Sequence, residues 1–300
     1  MGIGIYLKEI GRGKDGARSL SRAQAADLMG QVLDASVTDL EIGAFCLAMR
    51  VKGETPQEMA GFLDAVSQRI NRIPAGDKPN IVIPSYNGAR KLPVLTPLLA
   101  LLLAREGWPV LVHGTATESK RVFTAQVFAA LGHQPHAAIQ AIAPGSVAFV
   151  PTKLLCEGLQ RLLDVRRVVN LRNSGHSLVK LMNPCQGSAL IVSSYTHPEY
   201  ALSMAQTFKL TQASAFLLRG TEGEPVADAR RTPQMDFFHG GDTQTVQAAQ
   251  AGALQSIPDL PETNAADTAA YIEDVLKQKR EVPAPIAVQV QHILQALKSL

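Results

Sequence analysis

IVIPSYNGARKLPVLTPLLALLLAREGWPVLVHGTATESKR, residues 81–121, reads as strand, loop, helix, strand and loop. The β-branched run Ile81, Val82, Ile83 breaks at Pro84 into the polar turn SYNGAR. An apolar segment of helix length then reaches Gly107, and a second strand ends at His113 and Gly114. Strand, crossover helix and strand make one βαβ unit of a parallel sheet. Ligands of such sheets sit at the carboxyl ends of the strands, so SYNGARK and HGTATESKR are the two loops expected to carry function. Both look like phosphate-binding loops that lack part of the usual chemistry.

Upstream, the chain reads as helices. Ser21 with Gln24, Thr38 with Glu41, and Thr55 with Glu58 each fit the S/T-x-x-E/Q capping box, and Pro56 sits at the favoured first helical position. These starts predict helices near 21–34, 38–51 and 55–72, a small bundle within residues 1–73. The basic stretch Lys8 to Arg22 is expected to be a flexible approach to it. IPAGDKPN, residues 73–80, has the Pro and Gly of a hinge.

Downstream, residues 81–300 are expected to form a larger α/β domain with a central, mostly parallel sheet. Glu118 to Leu131 reads as helix, AIAPGSVAFVP as strand and Lys153 to Asp164 as helix. RRVVNLRNSGHSLVKLMNP reads as an irregular basic segment, and the stretch near 153–184 is expected to return to the bundle. ALIVSS, HPEYALSMAQTF and SAFLLRG repeat the strand, helix, strand order. An acidic, loop-rich stretch, a helix near 264–279 and a terminal amphipathic helix complete the expectation.

The chain has 300 residues, 46% of them hydrophobic, enough for a sizeable core. No apolar run approaches the roughly 18 residues of a membrane span, and MGIGIYLKEIGRGK is too short and polar for a signal peptide. The expectation is a soluble cytoplasmic protein. Cys46, Cys156 and Cys185 lack any C-x-x-C spacing, so reduced, buried thiols are expected and not a disulfide or zinc framework. Net charge is only +3, but residues 222–274 hold ten acids against Arg230 and Arg231. The rest is therefore strongly basic, with its excess at Lys8 to Arg22 and Lys153 to Lys180. That asymmetry fits an anionic partner on one face, or simply a solvated surface of mixed charge.

LSRAQAADLMGQVLDASVTDLEIGAFCLAMRVKGETPQEMAGF, residues 20–62, closely resembles the helical region of the nucleoside phosphorylase and anthranilate phosphoribosyltransferase superfamily, glycosyltransferase family 3. IPSYNGARK, TPLLALLL, RNSGHSLVKL, THPEY and GTEGE resemble most the YbiB-like paralogues of anthranilate phosphoribosyltransferase. Set beside the family's motifs, the chain departs where chemistry is done. The diphosphate loop GTGGD corresponds to Ser85, Tyr86, Asn87, Gly88 and Ala89. The following N-x-S-T keeps only Thr96. K-H-G-N corresponds to Val112, His113, Gly114 and Thr115. The magnesium motif D-G-x-D-E corresponds to Glu222, Gly223, Glu224, Pro225 and Val226, without the adjacent carboxylate pair. Arg166 matches the family's arginine before F-N-x-L-G-P-L.

The resemblance implies two readings. In the first, the chain is a nucleic-acid-binding protein without sequence specificity, for single or double strands. It has no catalytic residue, cofactor or metal, and it touches phosphates through Arg90, Lys91, Lys120, Arg121, Arg166, Arg167, Arg172 and Lys180. Ser85, Asn87, Gly88, Thr96, His113, Gly114 and Thr115 then line a residual phosphoribosyl cleft, with Glu222 and Glu224 as remnants of the metal site. In the second, it is an active phosphoribosyltransferase using phosphoribosyl diphosphate and Mg²⁺ on anthranilate or another aromatic acceptor. A phosphoribosyl or nucleotide sensor without turnover is a third possibility. The family also implies a homodimer through the N-terminal helices.

Overall fold

The computed structural model describes residues 2–13, 15–254 and 260–300. The three capping boxes all form, each with both reciprocal hydrogen bonds, and they start α2 (Arg22–Leu33), α3 (Asp39–Lys52) and α4 (Pro56–Ser67). Ahead of them lies a further helix, α1 (Gly4–Ile10), which takes in Lys8 to Ile10 of the stretch expected to be a flexible approach. Seven residues are too few to hold a helix in water. What holds this one is burial of Ile3 and Ile10, which are 0% and 1% exposed in the bundle core.

The α/β part follows as β1 (Asn80–Ser85), α5 (Thr96–Arg105), β2 (Val110–Gly114), α6 (Thr124–Ala130), β3 (Val147–Pro151), α7 (Thr152–Leu155), α8 (Glu157–Val169) and α9 (Gly175–Leu178). Then come β4 (Ala189–Tyr195), α10 (Pro198–Thr211), β5 (Ala215–Arg219), β6 (Met235–His239), β7 (Asp242–Gln247), α11 (Ala265–Leu276) and α12 (Ala284–Leu297). The seven strands lie in the order β3-β2-β1-β4-β5-β6-β7. β1 to β5 are parallel, and β6 and β7 are added antiparallel. The order reverses between β1 and β4, which opens a crevice at their carboxyl ends.

Three expectations change here. The basic segment expected to be irregular starts inside α8, which runs to Val169, and contains the short helix α9. Residues 115–123 are loop, because Ala89 and Val122 exchange two backbone hydrogen bonds that hold the segment extended, and helix begins only at Thr124. The acidic stretch contains the β6–β7 hairpin, turned at Gly240 and Gly241, both with positive φ.

Alternation along the strands sends side chains to both faces of the sheet. Ile81, Ile83, Val110, Val112, Phe216 and Leu218 pack with α5, α11 and α12. Val82, Leu111, Ile191 and Leu217 join the other cluster, which continues without a break into α2, α3, α4 and α8. The helical region thus shares its core with one face of the sheet. α8 is locked to α2 by Arg161, which donates to the carbonyl of Leu33 at 2.7 Å. Ile73, in the hinge, bridges Cys185. All three cysteines are free and buried.

Candidate functional site

The loop after β1 is built like an anion cradle. Gly88 takes φ +64°, and a Cβ there would stand 2.8 Å from the carbonyl of Val122, so only glycine lets the chain turn this close to its neighbour. The turn presents a run of backbone N–H groups, a concavity suited to negative charge. The anion found there belongs to the protein. Glu224, 1% exposed, accepts the N–H groups of Asn87 and Gly88, each at 2.8 Å, on one oxygen. On the other it accepts the hydroxyls of Ser85 and Thr96, the latter at 3.1 Å.

Glu222 fills the next turn of the same loop. It accepts N–H groups from Arg90 at 3.2 Å, Lys91 at 2.7 Å and Leu92 at 2.9 Å, and pairs with Arg121 at 3.5 Å. Its own φ is +51°, a left-handed conformation that costs a non-glycine residue about 1 kcal/mol or more. That strain is sustained by the hydrogen bonds the carboxylate makes.

Five amides are therefore already matched to two carboxylates. A second anion entering the cradle must displace one of them. Magnesium in such sites is held by carboxylates together with phosphate oxygens, yet both carboxylates here face N–H and O–H donors. Among the described residues, no three His, Cys, Asp or Glu side chains converge to hold a metal. The residues present do not fit a magnesium–diphosphate group.

His113, at the end of β2, is 0% exposed. Its Nδ1 lies 2.7 Å from the hydroxyl of Tyr86, which in turn accepts from Thr152 at 2.9 Å. Burial pushes the imidazole down to about 3, so it is neutral, and it is packed too deep to meet a ligand. Gly114 lies against the Ser85 carbonyl, and Thr115 is only partly exposed.

The cations expected to meet phosphate are sorted by the fold. Arg90, Lys91, Lys120 and Arg167 are exposed on the rim of the loops. Arg166 and Arg121 both turn onto Glu118, at 2.7 and 3.4 Å. Desolvation would raise the Glu118 carboxyl, but the Arg166 hydrogen bond and the Arg121 charge outweigh it and hold the group below its ordinary range. Arg167 pairs with Asp164 at 2.9 Å. Arg172 is half-buried, and burial, with Arg166 and Arg121 nearby, pushes its guanidinium down. Lys180 lies beneath the surface, 9% exposed, donating to the carbonyls of Gly223 at 2.8 Å and Ser194 at 3.3 Å; burial pushes its ammonium down to about 8.

The switch-point crevice is a cleft of about 500 Å³ between the helical region and the sheet. Sequence reasoning did not find it, because its walls come from four separate segments. They include Met49 from α3 and Glu54 from the α3–α4 turn, Arg172, His176 and Lys180 from the basic segment, and Tyr200 from α10. Glu54 accepts from the Ser174 hydroxyl at 2.6 Å, and burial pushes its carboxyl up. Burial, with Arg172 and Arg166 beside it, pushes His176 down to about 3.

Comparison with known proteins places this geometry in a family. Residues 5–69 match the glycosyl transferase family, helical bundle domain. The Escherichia coli protein YbiB is 38% identical over 292 residues, which is 95% of this chain and 91% of YbiB. An anthranilate phosphoribosyltransferase from Colwellia psychrerythraea is 25% identical, across 86% of this chain and 73% of that one. Among solved structures, the Thermus thermophilus anthranilate phosphoribosyltransferase superposes with a TM-score of 0.73 at 20% identity, covering 95% of this chain and 85% of its own. The Saccharomyces cerevisiae enzyme in complex with PRPP and Mg gives 0.73 at 12% identity, covering 99% and 88%. With a helical bundle fused to a mostly parallel sheet and a YbiB relative matched almost end to end, the chain belongs to the YbiB-like paralogues within the anthranilate phosphoribosyltransferase family.

Proposed function

We propose that the chain is a nucleic-acid-binding protein without sequence specificity, built on a phosphoribosyltransferase scaffold whose transferase motifs have degraded, and that it works without metal or cofactor. The observation that carries this reading is the filling of the amide cradle by Glu222 and Glu224, at the carboxyl end of the sheet, where the loop rim keeps Arg90, Lys91, Lys120 and Arg167 exposed. Exposed cations at a loop rim suit a phosphate backbone and carry no base readout. Tyr86, the aromatic of the first loop, is 2% exposed and cannot stack on a base, so single and double strands are both taken as ligands. Magnesium-dependent transfer to anthranilate or another aromatic acceptor is the competing reading. It draws on the shared scaffold, and the same two carboxylates count against it. We place the protein in the cytoplasm, where its thiols stay reduced; among the described residues no helix is long and apolar enough to cross a membrane.

The test is a salt titration. Affinity for an oligonucleotide should fall linearly in log K against log salt and vary little between unrelated sequences of equal length. Arg166 and Lys180 already have protein acceptors, so the informative variant is the triple alanine of Arg90, Lys91 and Lys120. It should flatten the slope by about one unit for each phosphate no longer neutralised, and weaken all sequences alike. An unchanged slope would reject this rim.

We also propose a homodimer through the N-terminal helices. Ile5 on α1 and Leu40, Leu47 and Val51 on α3 are 66%, 84%, 55% and 56% exposed, an apolar stripe at helical spacing that a second copy would cover about a two-fold axis. Sedimentation at micromolar concentration should give twice the chain mass, and Leu47→Glu should give the chain mass. A wild-type monomer would refute the assembly.

A further inference from the structure

In the loop after β2 one carboxylate, Glu118, stands among three guanidiniums, those of Arg121, Arg166 and Arg172. A single oxygen of it, Oε2, lies 2.7 Å from Nη2 of Arg166 and 3.4 Å from Nε of Arg121. Arg172 makes no side-chain hydrogen bond or ion pair among the described residues, and the carboxylate whose field supports its charge is again Glu118. The second acid at hand, Glu222, is 3.5 Å from Arg121 but already holds the amides of Lys91 and Leu92. Arg121 is left short even so. Its Nε is buried and makes no hydrogen bond, and its Nη1 reaches the Gly88 carbonyl only at 3.3 Å. One shared carboxylate oxygen underserves guanidinium forks that phosphate oxygens would match in pairs.

The loop that carries Glu118 is fastened on two sides, which fixes the acid in this place. Towards α8, Arg166 donates to the Thr117 hydroxyl at 3.3 Å and Arg167 to the Ala116 carbonyl at 3.2 Å. Towards the loop after β1, the Thr117 hydroxyl donates to the Tyr86 carbonyl at 3.1 Å. The side chains of Arg121 and Arg166 are thereby held 16% and 18% exposed, although their chain neighbours Lys120 and Arg167 are open to water.

We propose that Glu118 is an autoinhibitory counter-anion: it occupies the place of a phosphate between Arg121 and Arg166 and withholds both arginines from the nucleic-acid backbone that meets the rim. The inference rests on the nucleic-acid reading and adds a built-in ceiling on affinity. Binding draws on the open rim cations, and the two arginines beneath them contribute only when the acid is gone.

The experiment titrates a short labelled duplex with the whole protein by fluorescence anisotropy over a series of salt concentrations. Glu118→Gln should bind about tenfold more tightly than wild type, with log K against log salt steeper by about two units, one for each guanidinium released. Glu199, exposed at the start of α10 and without an ion pair among the described residues, carries the same charge and restrains no arginine. Glu199→Gln should therefore leave the slope within about half a unit of wild type. In a background of Arg121→Ala with Arg166→Ala, the gain from Glu118→Gln should disappear. Should that background fail to fold, judged by circular dichroism, the comparison with Glu199→Gln decides alone. The proposal is overturned if wild type binds and Glu118→Gln leaves affinity and slope unchanged, if Glu199→Gln matches it, or if the gain survives loss of both arginines. Absence of binding by wild type and Glu118→Gln alike defeats the nucleic-acid reading and this inference with it; binding by Glu118→Gln alone supports both.

Discussion

Mixed with anthranilate, phosphoribosyl diphosphate and saturating Mg²⁺, the protein is expected to consume anthranilate no faster than the uncatalysed mixture, followed by loss of anthranilate fluorescence. Enzymes of any efficiency accelerate their reactions by about a millionfold or more, and transfer of this kind depends on positioned donors and cations around the departing charge. Loss of a single such donor costs about 10²–10³ in rate. Here the N–H groups of Asn87, Gly88, Arg90, Lys91 and Leu92 are all spent on Glu224 and Glu222. His113 is fully buried, and Glu224 is followed by Pro225 and Val226, with no second acid adjacent to it. Multiplying even a few such losses brings the rate to background. Magnesium-dependent turnover that disappears in Glu222→Gln would restore the transferase reading.

The second large effect is on stability. In Glu224→Ala, the N–H groups of Asn87 and Gly88 and the hydroxyls of Ser85 and Thr96 lose their common acceptor at a place that is 1% exposed. An orphaned buried donor costs about 1–3 kcal/mol, and water admitted to the cavity recovers part of the sum, so a loss of about 4 kcal/mol is expected in urea unfolding. Glu224→Gln keeps one acceptor oxygen but turns an NH₂ group toward donors, and should lose about half as much. Arg90→Ala, on the exposed rim, should stay within about 0.5 kcal/mol of wild type. A Glu224→Ala protein as stable as the Arg90 variant would mean that the carboxylate does not hold the loop. The same substitution removes the Glu224 carboxylate from the cradle, so inorganic diphosphate should bind the variant more tightly than wild type.

The sequence by itself determined the elements whose signals are local. Thr38 and Glu41, or Thr55 and Glu58, form their reciprocal caps within one helical turn, so neighbours in the chain suffice to predict them. The βαβ unit from Asn80 to Gly114 was legible because period-two and period-3.6 patterns are separated by Pro84 and Gly107. The hairpin at Gly240 and Gly241 was legible in principle, since two glycines between β-prone runs are a turn signal, but the acidic composition around it masked the pattern. α1 was not legible, because its stability comes from the bundle that Ile3 and Ile10 enter and not from its own seven residues. Charge was the least legible property. Lys180 and Arg90 look alike in a sequence, yet one is buried beneath Gly223 and the other is exposed, because burial depends on which segments the sheet brings over a residue. Glu222 and Glu224 likewise read as remnants of a metal site. Only the tertiary structure, by laying the loop after β5 against the loop after β1, made them the anions that loop binds, since a hydrogen bond depends on distance in space and these groups are more than a hundred residues apart in the chain.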